Sequence, residues 1–234
     1  MTSRRLTKSA DKLPAMSGLA AKFEQILGDK YLAGLWEDTL FADLLWTGCY
    51  NTTWPPVQYR APSWSWAAAD GYQRSFERYR QLDLSQFMRL ASIISSSVRV
   101  SGLNPYGEVD DGEIAIQAPL VPISVTRDPV GDPERIRENN GYFAFVTKSS
   151  QQLHYGLLDY TISHETLQSL PVFALLMGRD AIVASYPSLL IIPDTLGVQE
   201  SCRYRRIGFI KLQEAILGAE IPRWGDAYPT ITLA

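Results

Sequence analysis

The chain has 234 residues, a formal net charge of −3 and only two cysteines, Cys49 and Cys202, in a mass of 26.2 kDa. Such a length holds one large domain or two small ones around a real hydrophobic core, and 46% hydrophobic against 20% charged residues excludes a disordered chain. Without excess positive charge no phosphate-tracking nucleic-acid partner is expected, and two cysteines make neither a disulfide framework nor a Cys/His zinc set, which suits a cytoplasmic location.

The first twelve residues carry Arg4, Arg5 and Lys8 but reach Asp11 and Lys12 before any apolar stretch, so no secretory signal is read there. The longest apolar runs, residues 171–177 and 189–193, fall short of the roughly 20 residues that a membrane span needs. Leu13, Met16, Leu19, Ala20, Phe23, Ile26 and Leu27 recur at three- and four-residue spacing, which predicts a helix with this stripe facing the β region. Pro14 suits its first turn and Gly28 the position just past its end. A second helix is expected after Asp38, with Leu40, Phe41, Leu44 and Leu45 inward. Between them, residues 31–36 are apolar but broken by Gly34, and a short strand and an extended connector both remain open.

From Cys49 the texture becomes β-like. The acceptor pattern at Asn51 reads as a chance turn, and Trp54-Pro55-Pro56 blocks helix. The polar–aromatic alternation of Ala61-Pro62-Ser63-Trp64-Ser65-Trp66 predicts a strand with both indoles on one face. Ile94, Ser96, Val98 and Val100 alternate with polar neighbours, Asp110-Asp111-Gly112 supplies a turn, and Ile114, Ile116, Ala118 and Leu120 form the next inward row, together a hairpin. Residues 126–141 read as a mobile surface loop. Short β-rich runs follow at residues 142–146, 153–158, 172–177, 189–192 and 203–212. The fold class is α+β, mainly β: one or two N-terminal helices packed on an antiparallel β sandwich or barrel. Residues 1–48 form an N-terminal helical segment and residues 49–234 a β-rich domain, either separate or continuous.

Catalytic motifs are missing from the sequence. His164-Glu165 begins like a zincin but places Gln168 where the second histidine belongs. His154 reads as an exposed strand residue, and no nucleophile–base pair or cofactor loop can be assembled. Glu108, Asp110, Asp111 and Glu113 lack the spacing of a calcium loop and read as a solvated turn. Arg74, Arg78 and Arg80 read as a solvated basic face, and the aromatic run at residues 142–146 as a buried strand rather than an RNA-binding signature. Trp64 and Trp66 are core residues by size, with a ligand platform as the alternative. Strict alternation over residues 203–212 leaves neither face apolar, because Arg206 shares one with Tyr204 and Ile210. A bulge at Gly208 turns Tyr204 and Arg206 inward, and a buried Arg206 then requires a carboxylate, a carbonyl or an aromatic face. An anion-binding role for Arg206 is the alternative.

Several of these segments together resemble a family. Arg5-Leu6-Thr7, then Asp11-Lys12-Leu13-Pro14-Ala15-Met16-Ser17-Gly18-Leu19-Ala20, Tyr31-Leu32-Ala33-Gly34-Leu35-Trp36, Leu44-Leu45-Trp46, Arg60-Ala61-Pro62-Ser63-Trp64-Ser65-Trp66 and Tyr204-Arg205-Arg206-Ile207-Gly208 resemble, in order and spacing, fungal heterokaryon-incompatibility (HET) domain proteins. The matches fall mainly in the first third of the chain, and correspond to the region C-terminal to the HET domain. That domain is thought to resemble TIR-type death-signalling modules, and its own earlier signatures are absent from this sequence, which reads as a downstream region or fragment. The resemblance implies a cytoplasmic fungal protein tied to non-self recognition and regulated cell death. Asp11, Leu13, Pro14, Gly18, Leu19, Trp36, Arg60, Pro62, Trp64, Trp66, Tyr204, Arg206 and Gly208 are the family-motif positions, expected to be structural. The expected role is a non-catalytic regulatory or scaffold region, with no cofactor or metal, whose partner is a HET module in cis or trans; an enzyme or small-ligand binder with an aromatic cleft near Trp64 and Trp66 is the alternative.

Overall fold

Leu189-Leu190-Ile191-Ile192 is apolar at every position, so a strand there must be covered on both faces. The computed structural model, which describes residues 8–50, 58–74, 87–126, 142–148, 150, 152–194, 203–217 and 227–234, shows how. In chain order it holds α1 (Lys12–Leu27), β1 (Tyr31–Leu32), β2 (Leu35–Trp36), α2 (Leu40–Asp43), β3 (Thr47–Tyr50), β4 (Gly71–Arg74), β5 (Phe87–Arg89), β6 (Ser92–Val100), β7 (Val109–Gln117) and β8 (Leu120–Thr126). There follow β9 (Tyr142–Thr147), β10 (His154–Leu158), α3 (His164–Ser169), β11 (Val172–Leu176), β12 (Gly178–Asp180), β13 (Ser185–Pro193), β14 (Arg203–Gln213), α4 (Glu214–Leu217) and β15 (Thr230–Leu233).

The fold is mainly β with helices at its flank, and the barrel alternative is the one adopted. Six strands close in the order β13, β11, β8, β9, β10, β14 and back to β13, each neighbouring pair antiparallel. Alternation sends Leu190, Ile192, Ala174, Leu176, Ile123, Val125, Phe145, Leu158 and Ile210 into the barrel. The opposite faces of β11, β13 and β14 present Leu175, Leu189, Ile191 and Phe209 to a second core outside the wall. That outer core is roofed by α2, by the β6–β7 hairpin and by β15, which lies parallel to β14 and antiparallel to β7. Leu13, Leu32, Leu40, Leu44 and Leu45 share it with Trp64, Ile114, Ile191 and Leu233, so residues on both sides of position 48 belong to one core.

Local structure corrects several expectations. Residues 31–36 form a two-strand hairpin whose turn residues Ala33 and Gly34 have positive φ. The second helix is a single turn, with Leu40, Phe41, Leu44 and Leu45 buried as expected. Residues 61–66 are not a strand: they lead by turns into a 3-10 helix at Trp66–Ala68, started by Ser65, whose side chain accepts the Ala67 N–H. Asp110, Asp111 and Gly112 lie inside β7 rather than in a turn. A bulge beside Ile94 leaves that residue exposed, and Ile93 is the one that packs inward. His154 is buried, not exposed; its Nδ1 accepts the Gln213 N–H at 3.3 Å. The expected loop at residues 126–141 lies outside the described residues except for Thr126, which ends β8, as do Asn51, the Trp54-Pro55-Pro56 segment, Arg78 and Arg80.

Helix α1 departs most from its expected packing. Gly28 closes it in the left-handed region at φ 66°, donating its N–H to Glu24 O at 2.8 Å. Only Leu13 and Ala20 are buried along it. Leu19, Phe23, Ile26 and Leu27 are 51%, 46%, 77% and 54% exposed, so that part of the apolar stripe turns away from the β region. The helix is anchored instead by polar contacts: Lys12 pairs with Asp70 at 3.1 Å and donates to Ala69 O, and the Tyr106 hydroxyl donates to Glu24.

Candidate functional site

Two features stand out, a buried polar hub built from the motif residues and the exposed face of α1. The hub centres on Arg206, which is fully buried. Its Nε meets Asp159 Oδ2 at 2.8 Å, Nη1 donates to Leu44 O, Nη2 donates to Trp46 O, and the guanidinium carbon lies 3.7 Å from the centre of the Trp46 ring. The carboxylate, carbonyl and aromatic partners required of a buried arginine are therefore all present. Burial pushes the Asp159 carboxyl up, with Arg206 pulling against it. Burial likewise raises the neighbouring Tyr160 hydroxyl, helped by the Asp159 charge.

The backbone that carries Arg206 inward is irregular, as expected, but for a different reason at Gly208. In the β13–β14 ladder Leu190 faces Gly208 and Ile191 faces Arg206, leaving Ile207 as the extra residue of the bulge. Gly208 does not use positive φ. A β-carbon there lies 2.3 Å from Leu157 O, so glycine is needed for the close approach of β10. Tyr204, half-buried, packs edge-on to Phe173 at 5.9 Å in the outer core.

The segment around Trp64 ties this hub to the rest of the chain. Trp46 Nε1 donates to Trp64 O at 2.9 Å, Trp64 Nε1 to Gly112 O at 3.3 Å and Trp66 Nε1 to Gly34 O at 2.9 Å. Ser65 Oγ donates to Ala33 O at 2.6 Å, while Ser63 Oγ accepts the Arg206 N–H at 2.9 Å and donates to Ala234 O. Gly34 and Gly112 leave space for this: a β-carbon at Gly34 lies 2.5 Å from Trp66 Nε1, and one at Gly112 lies 2.5 Å from Pro62 Cγ. Arg60 binds Asp70 at 2.7 Å and Ala68 O at 2.6 Å, beside Lys12. Burial opposes ionisation of Asp70, but the hydrogen bonds from Arg60 and Lys12 outweigh it and hold the carboxyl below its ordinary range. Trp64 is fully buried and Trp66 half-buried, and both indole N–H groups are engaged by backbone carbonyls.

Of the remaining motif positions, Asp11 is exposed in a 3-10 turn, Pro14 lies in the first turn of α1 and Trp36 packs edge-on to Tyr31 at 5.3 Å. Gly18 and Leu19 lie on open surface, with nothing within 4 Å of a β-carbon at Gly18. The acidic run on β7 is an ion-pair cluster, with Arg203 on Asp111 at 3.2 Å and on Glu113 at 2.7 Å. Sequence reading missed Asp159, Ser63 and Trp46 as partners of Arg206. The signal for Asp159 was available: it ends the apolar run Leu157-Leu158 beside Tyr160, where an acid is buried only if a cation meets it.

Among the described residues no group of three or more His, Cys, Asp and Glu side chains could hold a metal ion, and no helix is long and apolar enough to cross a membrane. The chain is thus defined by its structure as a closed six-stranded barrel with a helical flank locked on through a buried arginine. No family model, curated protein or solved structure matches it.

Proposed function

We propose that this chain is a non-catalytic regulatory or scaffold region of a HET-type protein, linked to fungal non-self recognition and regulated cell death, which acts in the cytoplasm by docking on a HET module in cis or trans. The observation that carries the contact role is the apolar face of α1, where Leu19, Phe23, Ile26 and Leu27 are half or more exposed, Phe23 marginally less. Contiguous exposed apolar surface of this kind marks interaction sites. The motif residues support a scaffold part, because Arg60, Trp64, Trp66 and Arg206 engage internal carbonyls and carboxylates and so rigidify the body that presents α1.

The test is a binding titration between the purified chain and a separately expressed fungal HET module, read by calorimetry. Saturable binding that is lost in the Leu19→Asp, Ile26→Asp variant supports the reading. Absence of binding with the folded parent chain at about 100 μM overturns the module as partner, since that concentration detects contacts of roughly 5 kcal/mol.

A further inference from the structure

The large sheet ends in β5 on one side and β6 on the other, and among the described residues neither has a further strand beside it. An open edge offers unpaired N–H and C=O groups to any extended chain that meets it, and short edges are protected by their length. Strand β5 has three residues, whereas β6 has nine. Ser92–Val100 also has the composition that pairs edge to edge: Ile93, Ile94, Val98 and Val100 are β-branched, Arg99 is the single charge, and no proline or glycine interrupts it.

The register shows where that edge is open. Ala118, just past β7, donates its N–H to Pro229 O, just before β15. Alternation then turns the backbone groups of Ile116 and Ile114 toward β15, and those of Gly112 to the same side, where its carbonyl takes the Trp64 indole. Ser96 lies opposite Ile114 and Val98 opposite Gly112. Their own N–H and C=O groups therefore point away from β7, into the open edge. The bulge beside Ile94 interrupts the strand before them. At Ser96 the edge is occupied. Lys30, just before β1, sets its ammonium 3.4 Å from Ser96 O. Glu37, just after β2, accepts the Ser96 hydroxyl at 2.7 Å and holds Lys30 at 3.0 Å. The Glu37 N–H also closes on Lys30 O at 3.0 Å, so the β1–β2 hairpin presents both charges to β6 as a unit.

We infer that Lys30 and Glu37 are a guard on β6, and that they keep its open edge from pairing with a strand of another copy of this chain. An ion pair with side chains 53% and 46% exposed adds little to stability, so its use lies in where it sits. An incoming strand takes Ser96 O only by displacing Lys30, and it leaves both charges beside a new ladder with less water around them. The Ser96 hydroxyl, and Lys30 after it, hold the Glu37 carboxyl below its ordinary range, so the guard stays charged at neutral pH.

Sedimentation velocity of the full chain from about 1 to 200 μM, a range that detects weak association, compares the parent with the Lys30→Ala, Glu37→Ala variant. The variant is expected to associate, with a weight-average mass roughly double the parent's or more at the highest concentration. Its melting temperature at low concentration is expected within about 4 °C of the parent's, since the pair is exposed. Adding Ser96→Pro removes the outward N–H without touching the ladder to β7, and is expected to return the variant to the parent's mass. Adding Ile94→Lys instead, which sets a new charge beside the same edge, is expected to do likewise. A folded alanine variant with the parent's mass at every concentration overturns the guard. Association that neither Ser96→Pro nor Ile94→Lys reverses overturns β6 as the guarded edge.

Discussion

Arg206 on β14 and Asp159, the residue that follows β10, meet at 2.8 Å with side chains 0% and 1% exposed, and the bulge that admits the arginine lies in the ladder between β14 and β13. A buried pair of this kind contributes little net stability but leaves a stranded charge when one member is lost.

Arg206→Met should therefore lower the unfolding free energy by about 3–5 kcal/mol, measured from urea denaturation midpoints. Adding Asp159→Leu should recover part of that loss. Recovery stays incomplete because the Leu44 and Trp46 carbonyls have also lost their donor. If the double variant falls no higher than the single one, the stranded carboxylate is not the cause.

Helix α1 offers a contrast between two apolar residues that look alike in sequence. Leu13→Ala should cost about 2–5 kcal/mol, as expected for a fully buried leucine. Phe23→Ala should change monomer stability by no more than about 0.5 kcal/mol. Denaturation at low protein concentration compares them, and a large loss at Phe23 would place the stripe against the body after all.

Gly208→Ala and Gly18→Ala should move stability in opposite directions. At Gly208 the added carbon meets the backbone of Leu157, which no side-chain rotation can relieve, so a loss of about 3 kcal/mol or failure to fold is expected. At Gly18 the carbon enters open space within a helix, and a gain of about 1 kcal/mol is expected. Thermal melts of the two variants check the signs.

Asp70 gives the acid limb a recognisable signature. Its carboxyl titrates below its ordinary value when folded, so the folded state binds fewer protons than the unfolded chain in that window. The resulting stability is fully present above about pH 4 and is lost as pH falls through the lowered value. Asp70→Asn should flatten this part of the stability–pH curve, and equal slopes in both proteins would contradict the assignment.

The sequence made the class of fold legible because its strands alternate and its turns are punctuated, and α1 because of its period and Gly28 cap. It could not show which of two stripes on α1 would be covered, since Leu13 and Phe23 differ only in what the distant chain brings to them. The Trp64 segment alternated like a strand, yet its two indoles donate to the carbonyls of Gly112 and Gly34 while the Trp64 carbonyl accepts from Trp46, and long-range hydrogen bonding overrode local pattern. Arg206 was legible as a problem of facing and its partners as chemical types, but Asp159 lies 47 positions away and only the closed barrel brings it near.

Strand β15 lies between β14 and β7, and in the sheet it is the link through which the β6–β7 hairpin reaches the barrel wall. The Ser63 hydroxyl waits for Ala234, 171 residues later in the chain. The barrel strands from β8 to β14 all precede β15 in the chain, whereas the outer core, with Leu13, Trp64 and Ile114, is complete only with Leu233. Completion of that core brings together residues from opposite ends of the chain, contacts that are entropically expensive to form, and a chain without β15 would leave the outer core without Ile231 and Leu233 and the β6–β7 hairpin without its link to the barrel wall.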